Sequence, residues 1–224
     1  MHRLHAMSAL KTTIRIRKPT MNLLDPFFYA DIIGIVFFAI SGALIAIRSK
    51  LDLLGLLIAA NLTALGGGVI RDVIVDRAPL SFTLIYPALT VFVALLIFFS
   101  FRWHHKQELE KKFFFVMSDS IGLVAFSIAG ALLGITHEFN LFGVTILSFV
   151  TAVGGGIIRD VMINEVPSIL ISDFYGSIAV AIALMLYGIN LLDILNFWTI
   201  SLTAILSLSL RLLAYYRSWH LPNL

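Results

Sequence analysis

Cysteine is absent from the 224-residue chain, so neither a disulfide framework nor a thiolate metal site can be built from it. Charge is nearly as scarce. Asp, Glu, Lys and Arg together make up 13% of the residues, about half the share of an ordinary soluble domain. That shortage excludes a soluble globular enzyme. Disorder is excluded on other grounds: 59% of the residues are hydrophobic, eighteen are Phe, and the mean hydropathy is +0.97, whereas disordered chains are poor in aromatic and branched side chains. The solvent implied is the lipid bilayer. There, a net charge of +3 reports orientation and not nucleic-acid binding.

A membrane-crossing helix needs about 20 mostly apolar residues, and seven runs of that kind are predicted. They are Phe27 to Ile47, Leu53 to Arg77, Ser81 to Phe101, Phe113 to Ile135, Leu141 to Ile163, Ile169 to Ile189 and Leu192 to Ala214. The fold class expected is therefore an all-α, multi-pass membrane protein with seven transmembrane helices. The connections are short except for 102–112, leaving no room for a separate soluble domain. Residues 1–26 form a basic tail (Arg3, Lys11, Arg15, Arg17, Lys18) without an apolar segment of signal-peptide length before Pro19. Met21 stands immediately before the first apolar run, which makes a start at Met21 an expectation that N-terminal sequencing would test.

The chain repeats itself. From Asp31 and from Asp119 onward the sequence aligns without gaps at an offset of 88 residues, through Gly34/Gly122, Phe38/Phe126, Gly42/Gly130, Gly55/Gly143, Thr63/Thr151, Arg71/Arg159, Asp72/Asp160 and Pro79/Pro167. The division expected is repeat 1 over 27–101, a cytoplasmic linker over 102–112, repeat 2 over 113–189, and an unrepeated seventh helix with its tail over 190–224. Three spans per copy is an odd number. The second copy then enters from the opposite face, and the two are inverted about an axis in the membrane plane.

Orientation follows from Lys and Arg. Arg48, Lys50, Arg102, Lys106, Lys111, Lys112, Arg211 and Arg217 fall on one side, against Arg77 and the N-terminal tail on the other. The positive-inside rule predicts an outside N-terminus and a cytoplasmic C-terminus in a bacterial-type inner (plasma) membrane.

The triplet Gly66, Gly67, Gly68 is expected near the middle of the second span, and Gly154, Gly155, Gly156 near the middle of the fifth. Each Gly costs on the order of 1 kcal/mol relative to Ala within a helix. One use for them is close helix packing. The other is a kink that exposes carbonyls and half-helix ends, which hydrocarbon tolerates only where the backbone faces protein or water. Two facing triplets favour the kink, as at a midplane ion or solute site.

One turn beyond each triplet stand Arg71-Asp72 and Arg159-Asp160. A charge at that depth costs at least about 2.5 to 3.5 kcal/mol, so it must face protein or water. Helical neighbours point apart, so pairing between adjacent residues is not expected. Bracing of freed carbonyls, with Asp72 and Asp160 accepting from a half-helix or from the opposite repeat, stands beside direct contact with a permeating species.

Asp31 and Asp119 open the first and fourth spans. They read either as helix-start carboxylates or as acidic pore mouths that concentrate cations. Asn61, Thr63 and Thr151 could supply oxygen ligands, though hydroxyls in membrane helices commonly bond their own backbone. Arg211 reads as a snorkelling interfacial cation. The six His, including His104-His105, have no metal-ligand spacing, and no metal or cofactor is expected. Neither a phosphate loop nor a nucleophile with its base can be assembled, so no enzyme is expected.

Gly-Gly-Gly-Val-Ile-Arg-Asp-Val and Gly-Gly-Gly-Ile-Ile-Arg-Asp-Val, each followed by Pro within two three-span repeats, resemble the prokaryotic branch of the trimeric intracellular cation channels. That family also carries a glycine-transporter-type domain twice. The likeness runs from Phe27 to Ala214. It implies a homotrimer in which each protomer holds its own hourglass path for monovalent cations, K+ above all, with K+ or Na+ as the permeant ion. Kinks at Gly66 to Gly68 and Gly154 to Gly156 would line that path. A Lys-Glu-Val motif found in animal members is missing here, so lipid regulation is not implied. A carrier for a small solute such as glycine remains the alternative, since inverted repeats serve alternating access equally well. A structural membrane subunit is a third reading, and it leaves the triplets without a purpose.

Overall fold

A computed structural model describes residues 25–100, 108–171 and 175–217. The N-terminal tail with Met21, most of the linker with His104-His105, and residues 218–224 lie outside those residues. Among the described residues the regular structure is entirely helical. The helices are α1 (Pro26–Arg48), α2 (Leu53–Ile74), α3 (Leu80–Thr83), α4 (Tyr86–Ser100), α5 (Glu108–Thr136), α6 (Leu141–Met162), α7 (Ser168–Ile171), α8 (Tyr175–Leu191) and α9 (Phe197–Tyr216). The protein is a multi-pass membrane protein. Helices α1, α2, α5, α6 and α9 are long and apolar enough to cross a bilayer, whereas α4 and α8 are shorter apolar helices.

The repeat extends to the helix ends. Asp52 caps α2 by accepting from the Gly55 amide at 2.7 Å, and Asn140 caps α6 by accepting from that of Gly143 at 2.9 Å. The Gly55/Gly143 identity therefore marks equivalent first turns. At the other ends the chain closes through a left-handed residue: Lys50, Asp76, Glu138 and Asn164 have φ of 54 to 59°. The amide just beyond each bonds back to a carbonyl five residues earlier, as from Arg77 to Asp72 and from Glu165 to Asp160, both 2.9 Å.

Three expectations about the spans are corrected. The second span ends at Ile74 and not Arg77, so its 22 residues centre on Thr63 and Ala64, and the Gly triplet falls in the C-terminal half. The third span does not run as a single helix from Ser81. It begins as the four-residue helix α3 and resumes as α4; in the sixth, α7 and α8 are described on either side of residues 172–174. Pro87 is the second residue of α4, a first-turn position where its missing N–H needs no helical partner, and Leu84 ahead of it is extended, with ψ at 149°. The seventh helix starts at Phe197 and not Leu192, where Asn196 and Thr199 form a capping box.

Equivalent helices from the two repeats cross antiparallel at the centre. Between α1 and α5, Gly34 lies against the Phe126 ring and Gly122 against that of Phe38, and the two rings meet edge to face with centroids 5.2 Å apart. Further along, Ser41 reaches Asp119. Residue numbers rise on one helix as they fall on the other. Helices α2 and α6 do the same: Gly67 abuts the Thr151 carbonyl and Gly155 that of Thr63. Around this four-helix centre, α4 packs on α1, α8 on α5 and α6, and α9 on α5 and α8.

Candidate functional site

The intramembrane charges gather into two buried clusters, one per repeat. In the first, Arg71 on the last turn of α2 donates from Nη1 to Asp31 Oδ1 at 2.6 Å and from Nε to Asp72 Oδ1 at 2.9 Å. All three residues are at most 3% exposed. Asp31 also accepts from the Tyr86 hydroxyl at 2.8 Å. Asp72 accepts from Arg77 Nη2 at 2.5 Å and, through Oδ2, from the Leu80 amide at 2.8 Å. The Phe27 ring closes the cluster, with the guanidinium carbons of Arg71 and Arg77 at 4.8 and 5.6 Å from its centroid.

The second cluster is similar with one difference. Arg159 Nε donates to Asp160 Oδ1 at 2.8 Å, and Asp160 Oδ2 accepts from the Ser168 amide at 2.8 Å and its hydroxyl at 3.0 Å. Arg159 Nη1 points across to Thr63 Oγ1 of the other repeat, 3.5 Å away. Asp119 accepts from Ser41 Oγ at 3.2 Å and lies within electrostatic reach of Arg159, Arg211 and Tyr175.

Adjacent Arg and Asp therefore do pair, against expectation. Their Cβ directions diverge on the helix, but the arginine side chain is long enough to curl its Nε back onto the neighbouring carboxylate. The other oxygen of that carboxylate then holds the first amide of α3 or the amide and hydroxyl of Ser168 in α7. Leaving one member of such a buried set unpaired costs on the order of 3 to 5 kcal/mol, so these contacts fix where each half-helix starts.

The triplets are not seats of a visible break. Helix runs without interruption from Leu53 to Ile74 and from Leu141 to Met162, so the expected kink with freed carbonyls is not displayed. The glycines serve close approach. A Cβ on Gly67 would strike the Thr151 carbonyl oxygen, a Cβ on Gly155 the Thr63 carbonyl oxygen, and one on Gly66 would lie 3.0 Å from Gly155 Cα. Gly68 and Gly156 are different. A Cβ there would meet, beyond its own helix backbone, only the Arg71 or Arg159 side chain, at 3.5 and 3.8 Å, and each glycine lines a small cavity beside its charge cluster.

Two such cavities flank the crossing, each of about 10 Å³ and hence room for about one water. The first is bordered by Asp31, Gly68, Arg71, Asp72 and Ser81, the second by Gly156, Arg159, Asp160, Ser168 and Tyr175.

Other expectations fall as follows. Asp31 and Asp119 are buried within their helices and not at helix starts; Asp25 caps α1 instead, accepting from the Phe27 amide at 3.0 Å. Thr63 and Thr151 donate to their own helix carbonyls at 2.7 and 2.5 Å, and Asn61 Nδ2 donates to the Leu57 carbonyl at 2.8 Å. Arg211 does not snorkel; it is 5% exposed, with its guanidinium 5.1 Å from the centre of the Tyr175 ring. Tyr86, Arg77, Phe27, Ser41 and Tyr175 were not anticipated in the site. Tyr86 opens α4 and Tyr175 is the first described residue of α8, but they are 89 residues apart, one out of register with the repeat, which hides their correspondence. Among the described residues no group of His, Asp and Glu has the arrangement of a metal site.

The family model described as "Glycine transporter" matches the chain twice, over residues 28–103 and 116–190. A UPF0126 membrane protein of Deinococcus radiodurans is 37% identical over 157 residues, which is 67% of this chain and 69% of the relative. UPF0126 membrane protein YvgT of Bacillus subtilis is 30% identical over 207 residues, 86% of this chain and 94% of the relative. Among solved structures, one determined to explain conductance through TRIC cation channels superposes with a TM-score of 0.76 at 36% identity, covering 88% of this chain and 97% of that one. These relatives are membrane proteins and channels, not enzymes.

Proposed function

The chain belongs to the family of the TRIC cation channels and the UPF0126, glycine-transporter-type membrane proteins, and from that premise we propose that it is a passive channel for monovalent cations, K+ above all. The observation that carries the reading is the likeness to a TRIC cation channel at 36% identity over 88% of the chain. The path proposed runs within one protomer, from the cavity at Asp31, Arg71 and Asp72, past the crossing of the two Gly triplets, to the cavity at Arg159 and Asp160. Asp119 stands beside that second cavity.

An hourglass in its closed form fits this geometry. Two charge-lined pockets are separated by a crossing so tight that Gly67 and Gly155 touch carbonyls of the facing helix. Thr63 and Thr151 sit at that crossing, where their hydroxyl oxygens would be the first polar groups offered to an ion if α2 and α6 moved apart. Conduction then requires separation at the glycines, with the Arg-Asp clusters bracing the half-helices on either side. The proposed topology is two inverted three-helix repeats and a seventh helix, supported by the antiparallel crossings of α1 with α5 and α2 with α6. An outside N-terminus, a cytoplasmic C-terminus, a homotrimer and the absence of a cofactor complete the proposal.

Purified protein in planar bilayers tests it. Resolved single-channel K+ currents are expected. Electrically silent, saturable glycine uptake into liposomes would replace the channel with a carrier. Crosslinking in native membranes that yields only monomer and dimer would remove the trimer, and a C-terminal reporter active only outside the cytoplasm would reverse the orientation.

A further inference from the structure

The two charge clusters draw on different sources of cation. In repeat 1 both arginines come from the repeat itself: Arg71 and Arg77 stand against Asp31 and Asp72. The position equivalent to Arg77 in repeat 2 is Glu165, which has turned outward to Arg48 and Ser49. Repeat 2 alone therefore contributes Asp119, Asp160 and only Arg159 to its cluster, a net charge of one negative among the described residues. A buried uncompensated carboxylate is costly in a bilayer.

Helix α9, which belongs to neither repeat, turns a polar stripe inward. Thr203, Ser207 and Arg211 are spaced four apart, one face of a helix, and all three are buried together with Ile200 and Ala214. Arg211 is carried onto the ring of Tyr175, the first residue of α8. We propose that Arg211 is the counter-charge of Asp119, so that the last helix completes the second cluster and holds it against α5 and α8. Arg211 is in this sense a positioning residue. It restores to repeat 2 the neutrality that Arg77 gives to repeat 1.

The pairing itself does not depend on the channel reading, but its effect on current does. Thermal unfolding of the full-length protein in lipid nanodiscs would be compared for wild type, D119N, R211M, R211K and D119N/R211M. Each of D119N and R211M is expected to lower the midpoint by about 5 °C or more. The double variant should recover at least half of the summed loss, since coupled partners are not additive. R211K keeps the charge and should fall by less than R211M. Additive losses in the double variant would overturn the proposal, whatever the currents show.

In planar bilayers R211M leaves the second charge cluster, which includes the Arg159 and Asp160 that line the second cavity, one charge more negative. Its K+ conductance at low salt should rise relative to wild type, by about twofold or more, and the difference should fade toward ~1 M salt. A conductance unchanged by R211M would overturn the claim that this charge faces the pathway. Absence of current in the wild type would sink the channel reading alone, and the unfolding measurements would still decide the pairing.

Discussion

Arg71 and Asp31, forty residues apart, form a 2.6 Å buried ion pair, whereas Arg159, the repeat partner of Arg71, reaches instead for the Thr63 hydroxyl of the opposite repeat at 3.5 Å. The same motif thus rests in two arrangements within one chain. Asp119, the counterpart of Asp31, takes a hydroxyl from Ser41; the residue equivalent to Ser41 is Ala129, which offers Asp31 no donor. Sequence differences opposite the carboxylates accompany the different arginine partners.

Double-mutant cycles should separate the two arrangements. D31N or R71M alone is expected to cost on the order of 3 to 5 kcal/mol, with much of the loss recovered when both are made. For Thr63→Val with R159M the coupling should stay within about 1 kcal/mol, as for a long, weak hydrogen bond. Equal coupling in the two cycles, measured by thermal unfolding, would mean the asymmetry has no energetic weight.

The glycines within a triplet should respond differently to a methyl group. Gly67→Ala and Gly155→Ala drive a Cβ into a facing carbonyl, and overpacking of this kind costs about 1 to 3 kcal/mol. Gly68→Ala and Gly156→Ala meet only an arginine tip and should gain up to about 1 kcal/mol from helix propensity. Unfolding midpoints of the four variants check the ordering. In bilayers, G67A protein that folds is expected to be open more of the time, because the crossing that closes the path has been wedged.

Tyr86→Phe removes one donor to Asp31 and little else. A hydrogen bond to a charged group is worth about 1.5 to 3 kcal/mol, so a loss of stability of that size is expected, smaller than for D31N. A silent Y86F would show that Arg71 alone satisfies the carboxylate.

The absence of cysteine makes the arrangement of the two repeats directly testable. Ser49, just past the end of α1, donates to Glu165, just past the end of α6, at 2.8 Å. S49C/E165C protein should be joined internally by a short bifunctional thiol reagent, and both thiols should react with an impermeant reagent from the same membrane face. R77C should react from the other face. Labelling of the two thiols of S49C/E165C from opposite faces would contradict the antiparallel crossing. The native contact of Arg48 and Ser49 with Glu165 is largely exposed, so E165Q should cost less than about 1 kcal/mol.

Much of the architecture was legible without coordinates. Run length and bordering charge marked the long helices to within about five residues, because an apolar run bordered by charge has few ways to sit in a bilayer. The break in the third span was not legible, since its residues are as apolar as the rest and only Pro87 stands near the interruption. The reach of Arg71 and Arg159 onto their own neighbours was missed because Cβ direction says little about where a guanidinium several bonds further out will lie.

The chain by itself determined the bilayer as solvent, the two copies, and the four charges set next to glycine triplets. Each is a matter of composition or of order along the chain. Tertiary structure decided what the glycines do and which carboxylate each arginine meets. It also placed Arg211 inside, although the sequence alone reads it as an interfacial cation. Those depend on distances between residues 40 to 96 positions apart, such as Asp31 and Arg71 or Thr63 and Arg159, and only the packing of helices brings such residues together.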